Sequence, residues 1–412
     1  MQRGSAQLTL LLACFTGLAT GYSVFAGVVF GLLIGPLSDA FGWSRTAIAG
    51  ALTLCSAVIV VLSPVVGALL DRYGVRTIVI PSIGLFGIAV AALSTLQGDL
   101  WAFYGVALVI ALAGIATLPA TYSRMLVKAF TQRRGLALSI ALSGVGVAAI
   151  VLPIGLERAI ANYGWRTACL LFAALILLVG WPIVGAWLRD VPSATGAAAA
   201  PAQAVVGPVL RGSRWALLRQ TPLARMAFAC FLLGLSLFGV VVHLVPWLTD
   251  ELGSTRRAAA AVSLLGASTF VSRLLCGWLL DRVFAPYLAG VVFALAAASL
   301  FYIAGEAVAP GILMAVVLLG LANGADFDII SYLVSRYVPL AHYSWAYGIV
   351  YSAFLAGVTV GPLLLGFAYD RHGSYSFGVQ VFAVAVLAVA GLFATLGQYR
   401  EPLQVEELPR AA

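Results

Sequence analysis

The sequence predicts an all-α polytopic membrane protein whose twelve spanning helices form two pseudo-symmetric six-helix bundles. Three observations predict it. Hydrophobic residues make up 62% of the 412 residues and charged residues 9%, where a soluble domain carries about 25% charged. The apolar residues fall into twelve continuous runs, and a bilayer-spanning helix needs roughly 20 such residues. Short Gly- and charge-bearing segments of the first half recur in the second. Lipid admits only helices or closed barrels. Barrel strands alternate over about ten residues, and these runs do not alternate.

The predicted spans are 8–35, 46–70, 75–96, 100–124, 135–156, 167–188, 223–248, 258–280, 287–305, 309–333, 344–368 and 376–397. Gly, Pro and charged clusters punctuate them, as in Asp71-Arg72-Tyr73-Gly74 and Asp370-Arg371-His372-Gly373. The first run is longer than a signal-peptide core and lacks a small-residue cleavage site, so it reads as a retained helix. With the N-terminus inside, sixteen Lys and Arg lie at cytoplasmic ends, six lie outside and Arg273 alone sits within a span. That is the positive-inside pattern. It predicts cytoplasmic termini and a plasma-membrane location, the inner membrane in a Gram-negative cell. The net charge of +8 therefore reports topology; no basic block interleaved with aromatics points to nucleic acid. Five cysteines without a CxxC pair and three scattered histidines give no disulfide or metal pattern. No cofactor is expected.

A break at 189–222, with Asp190-Val191-Pro192 and an Ala-rich stretch, divides the chain. The expected units are a bundle at 1–188, a cytoplasmic linker at 189–222, a bundle at 223–397 and a cytoplasmic tail at 398–412. Gly67-Ala68-Leu69-Leu70-Asp71-Arg72 returns as Gly277-Trp278-Leu279-Leu280-Asp281-Arg282. A repeat of this length predicts duplication of a six-helix unit, with a ligand site between the halves near mid-membrane.

These segments resemble a known family. Gly67 through Arg76 is similar to the loop motif between helices two and three of the major facilitator superfamily, which implies a major-facilitator-type fold. Phe41-Gly42-Trp43-Ser44-Arg45, Arg133-Arg134-Gly135-Leu136-Ala137, Tyr163-Gly164-Trp165-Arg166 and Tyr332-Leu333-Val334-Ser335-Arg336-Tyr337 resemble its monocarboxylate-transporter-like branch, related to the bacterial oxalate/formate exchangers. In the loop motif, Asp71 can cap a neighbouring helix N-terminus or pair with Arg72 or Arg76, and Gly67 and Gly74 permit close approach and a turn. With Asp281 and Arg282 these residues form a candidate conformational latch; the plainer alternative is a solvated turn. Gly144, Gly146, Gly357, Gly361 and Gly366 allow close helix packing.

Arg273 lies about two turns from the cytoplasmic end of the eighth span. An intramembrane arginine costs several kcal/mol unless paired or hydrated, and its donor fork matches a carboxylate. A substrate anion is one partner; a structural pairing with Asp326 or Asp328 is the other. The resemblance places Arg273 on the helix-eight arginine that contacts substrate carboxylate in monocarboxylate transporters. This chain departs from that branch in having Thr269 where animal members carry an acid, and Phe25-Ala26-Gly27-Val28-Val29 where they carry a helix-one lysine. The exchangers' helix-eleven lysine is also missing from the region of Tyr351-Ser352.

Asp326 and Asp328 in span ten lie at a similar depth, on different helix faces. A carboxylate in a poorly hydrated cavity can accept a proton near neutral pH, so both are candidate proton-coupling groups or permanent partners of Arg273. His243 could shuttle protons or be hydrogen-bonded within its bundle. Tyr22, Phe25, Tyr122 and Tyr351 are candidate ligand-facing residues. Together these readings predict alternating-access transport of a small monocarboxylate or related organic anion, with protons, by a chain acting as a monomer among lipids. Anion exchange, carriage of larger aromatic carboxylates and a non-transporting membrane sensor are the alternatives. No nucleotide-binding phosphate loop is present, and no enzymatic chemistry is expected.

Overall fold

The computed structural model describes residues 2–130, 133–189, 222–253, 255–305 and 309–399. Among them, twelve helices are long and apolar enough to cross a membrane. They are α1 (Ala6–Phe41), α2 (Ala47–Tyr73), α3 (Val75–Thr95), α4 (Leu100–Ala129), α5 (Arg134–Tyr163), α6 (Trp165–Trp187), α7 (Leu223–Leu244), α8 (Ser263–Leu280), α9 (Ala285–Ala304), α10 (Gly311–Tyr337), α11 (Leu340–His372) and α12 (Ser376–Ala394). Several run beyond the predicted ends, because a helix continues past its last apolar residue for as long as its backbone bonds can be made. The expected linker and tail fall almost wholly outside the described residues.

Local chemistry sets the helix ends. Ser44 caps the helix that carries α2 by accepting from the Ala47 amide at 3.1 Å, and Asp99 caps α4 through the Trp101 amide at 2.9 Å. Between α2 and α3 the chain turns at Gly74 with φ of +85°, a backbone conformation that favours glycine.

Two helices of the first bundle are broken and brace each other. Pro119 has no amide hydrogen and pushes Leu118 into an extended conformation, so α4 tightens over Ile115–Thr117 and restarts at Pro119. The Thr117 hydroxyl donates to the Gly114 carbonyl at 2.6 Å and accepts from the Tyr22 amide at 2.9 Å. That amide is free because α1 is interrupted at Thr20–Gly21. Beyond the break α1 winds as a π-helix over Phe25–Val29, and α7 does the same over Gly234–Phe238.

Within the first bundle α5 lies along α1 and α3 along α4; in the second, α8 lies along α10 and α7 along α11. Two seams join the bundles, α2 on α11 and α5 on α8. Both depend on glycine near the face at which α1 begins, here termed the terminal face. A side chain at Gly67 would strike the Ser344 carbonyl, and one at Gly348 the backbone of Ser63 and Pro64. In the other seam Gly135 and Gly277 meet backbone to backbone, with Ser139 over Gly277. The terminal face is therefore shut. On the opposite half of α1, Gly27, Gly31 and Gly35 have nothing within 4 Å of where a side chain would begin.

Candidate functional site

Arg273 is half-buried on α8, beside the fully buried Asp326 and Asp328 of α10. Gly320 and Gly324 bring the two helices this close, since a side chain at either would collide with Ser268 or the Thr269 carbonyl. Thr269 donates to the Gly320 carbonyl at 3.1 Å, and Ser272 donates to the Leu321 carbonyl. The Thr269 that replaces an acid thus ties helix to helix. Arg273 forms no ion pair among the described residues, yet its charge acts through space on both carboxylates.

The two acids face different neighbours. Asp326 accepts from the Phe327 amide at 2.6 Å and lies near Cys230 of α7 and Tyr347 and Tyr351 of α11. Asp328 lies near Cys276 of α8 and faces Ser139 of α5 across the seam, and among the described residues its carboxylate oxygens have no other hydrogen-bond partner. Tyr351 stacks at 6.2 Å on Tyr347, packs at 6.0 Å against the tilted ring of Phe327 and approaches Ser23 of α1. The buried Tyr22 hydroxyl, beside Cys55, lies near Tyr351 from the first bundle. Arg273, Asp326, Asp328, Tyr351 and Tyr22 therefore gather where the bundles meet.

Three other candidates lie elsewhere. Phe25 is drawn into the first bundle among Phe30, Phe86 and Phe172, with ring centroids 6.1–6.4 Å away. Tyr122 is fully buried against Gly17 in the same bundle, its hydroxyl without a partner. His243 ties α7 to its neighbours within the second bundle: Nε2 lies 3.0 Å from the Pro362 carbonyl of α11 and Nδ1 3.3 Å from the hydroxyl of Tyr375, just before α12. A carbonyl can only accept, so Nε2 carries a hydrogen and donates to Pro362. That is the bundle-internal alternative for this histidine.

Residues not singled out from the sequence join the interface. Ser123 of α4 donates to the Ser331 hydroxyl of α10 at 3.3 Å, Ser331 donates to Tyr347 at 3.2 Å, and Tyr343 donates to the Ser331 carbonyl at 3.2 Å. Asn323, one turn before Phe327, has a partnerless side-chain oxygen. Single serines and an asparagine in a long apolar run carry no spacing signal.

At the terminal face Asp71 accepts from the Ser344 and Trp345 amides at 3.2 and 3.0 Å, in the first turn of the helix beginning at Tyr343. Asp281 accepts from the Gly135 and Leu136 amides at 2.7 and 3.1 Å, in the first turn of α5. Each carboxylate neutralises free N–H groups at a helix N-terminus of the opposite bundle. Of the two alternatives for Asp71, the capping contact is the one present; in place of the pairing with Arg72 or Arg76, its salt bridge is to Arg124 of α4 at 3.3 Å. Arg76 instead donates to the Gly185 carbonyl at 3.0 Å, and Arg72 lies over the Tyr73 ring. Arg282 folds back over Trp278 at 4.0 Å. Both helix starts sit under a cross-bundle carboxylate, and both seams are glycine-lined.

Gly277→Val tests the α5–α8 seam. Its methyls would meet the Gly135 backbone and Ser139, which cannot move without parting α5 from α8. Overpacking costs about 1–3 kcal/mol, so the shut population should fall roughly 5- to 150-fold, read from distances between labels on the two helix ends.

Comparison with known proteins agrees with this arrangement. Residues 11–325 match the model of the Major Facilitator Superfamily. Human monocarboxylate transporter 11 is 28% identical over 381 residues, covering 89% of this chain and 78% of that protein. Bovine monocarboxylate transporter 13 is 27% identical over 351 residues, covering 82% and 77% respectively. Among solved structures, the superfamily transporter FucP in its outward conformation superposes with a TM-score of 0.73 at 16% identity, over 94% of this chain and 98% of that one.

Proposed function

The chain belongs to the major facilitator superfamily and has twelve helices long and apolar enough to cross a membrane, and on that premise we propose that it is a secondary active transporter that carries a small monocarboxylate together with protons by alternating access. The observation behind this reading is Arg273, a half-buried intramembrane guanidinium with no ion pair among the described residues, set beside two buried carboxylates at the meeting of the bundles. A substrate carboxylate supplies the missing partner in two-pronged geometry. The names of the curated relatives, monocarboxylate transporters 11 and 13, point the same way. The chain's single lysine, Lys128, stands at the terminal end of α4, so the site offers one cation and favours a monoanion.

In this reading the termini are cytoplasmic and the shut terminal face makes this the outward-facing state. Asp71 and Asp281 hold the cytoplasmic side, Gly67 and Gly74 shape the approach and turn, and Arg72, Arg76 and Arg282 stay on the exposed rim. Tyr22 and Tyr351 bound the site from opposite bundles. Anion at Arg273 and a proton on Asp326 or Asp328 together leave the loaded carrier without an unpaired buried charge, so it can reorient.

Proton and substrate flux measured together in proteoliposomes test this. An inward proton gradient should drive accumulation of lactate-like or branched-chain monocarboxylates. Short dicarboxylates should compete poorly, because their second charge would be desolvated without a partner. Preferred transport of a fully ionised dicarboxylate would overturn the monoanion assignment, and flux indifferent to the gradient would overturn symport.

A further inference from the structure

The two seams are built alike but are not chemically equivalent. The sequence offset that carries Asp71 to Asp281 also carries Ser63 to Arg273 and Leu118 to Asp328. In the α2–α11 seam, Ser63 and Leu118 line a cavity of about 10 Å³ with Gly348 and Tyr351, and no charged residue lines it. In the α5–α8 seam, the corresponding places hold a guanidinium and a carboxylate. At these places the α2–α11 seam is uncharged and the α5–α8 seam carries charge, although each seam has its own capping carboxylate at the terminal face.

Asp328 is the singular member. It is fully buried and faces the Ser139 hydroxyl of the opposite bundle, and among the described residues neither group has a hydrogen-bond partner other than the other. From α8 it is faced by Arg273 and Cys276, and on its own helix by Asp326. The other charged or titratable groups of this seam, Asp281, Arg134, Arg336 and Tyr332, cluster at the terminal face. A carboxylate facing a hydroxyl can make a hydrogen bond in either protonation state. Only the acid form does so without leaving a charge inside a dry helix contact.

We infer that Asp328 is the proton-sensing residue of the α5–α8 seam: as the uncharged acid it holds Ser139 and keeps the terminal face shut, and as the carboxylate it releases α5. This rests on the proton-coupled reading above and assigns within it a role that Asp326, turned toward α7 and α11, does not share. A proton taken up alone keeps the carrier outward-facing, which prevents proton leak. Substrate at Arg273 is then needed for the turn. The empty carrier returns with Asp328 charged and Arg273 as its counter-ion. The α2–α11 seam, with no charge at the matching places, follows without sensing either event.

The test needs no substrate. All five native cysteines are buried, so spin labels can be placed through Arg133→Cys with Val283→Cys across the α5–α8 seam, and through Tyr73→Cys with Leu340→Cys across the α2–α11 seam. In detergent-solubilised full-length protein, raising pH should move the first pair from a short to a long distance. The open-to-shut ratio should change by up to about tenfold per pH unit across the titration. Asp328→Asn should abolish that response and stay shut, and Asp328→Glu should retain it. Asp326→Asn should also retain it, and Ser139→Ala should raise the open fraction at low pH. An Asp328→Asn protein with the wild-type pH response would overturn the inference, as would loss of the response in Asp328→Glu. Because no carboxylate is present, a failed substrate panel leaves this result standing, and a failed pH response leaves the substrate reading standing.

Discussion

Arg273→Leu is expected to eliminate ligand-induced thermal stabilisation by monocarboxylates while the purified protein remains folded. Truncating one member of a buried hydrogen-bonded charge pair costs about 2–5 kcal/mol, a loss of roughly 30- to 5,000-fold in affinity. Folding should survive because Arg273 anchors no ion pair among the described residues, while α8 is fastened to α10 by Thr269 and Ser272 one turn or less away. Leucine also keeps most of the side-chain volume. Arg273→Lys should recover part of the binding through charge, without the planar fork that engages both carboxylate oxygens. Isothermal titration with a lactate-like ligand checks the series. Near-wild-type affinity in both Arg273→Leu and Arg273→Gln would remove Arg273 from the binding site.

The sequence carried the parts of this architecture whose signals are local. Twelve apolar runs give twelve helices, and the recurrence of Asp71 at Asp281 led to a second cross-bundle carboxylate with the same geometry. Arg273, Asp326 and Asp328 stood out because charge in an apolar run needs a reason. Which way an apolar helix turns its faces was not local. Bundle core, cavity and lipid select similar side chains, so periodicity does not separate them, and the π-helix at Phe25–Val29 changes the register of α1. Phe25 accordingly fell in the bundle core. His243 found its partners in Pro362 and Tyr375, more than a hundred residues along the chain, and Asp71 found Arg124 in a different helix. Ser139 gained its significance only from what lies across a seam.

Removing both cross-bundle carboxylates, in the double variant Asp71→Asn with Asp281→Asn, should convert the protein from mostly shut to mostly open at the terminal face. Each aspartate joins two first-turn amides of the opposite bundle, and a charge-assisted contact of this kind in partly buried geometry contributes about 1–2 kcal/mol. Asparagine keeps one acceptor oxygen but loses the charge, and its amide group brings donors toward donors. The Asp71 change should be the larger, because it also strips Arg124 of its salt bridge. Asp281 holds no ion pair among the described residues. The caps lie on separate seams and share no partner, so their effects should nearly add, giving a shift of roughly 30- to 1,000-fold in the open-to-shut ratio. The two label pairs used for the seams read each one separately: each single variant should loosen its own seam more than the other, and the double should open both. A double variant whose distance distributions match wild type would mean that the glycine contacts alone hold the face shut, with the carboxylates only decorating helix ends that water would satisfy equally well.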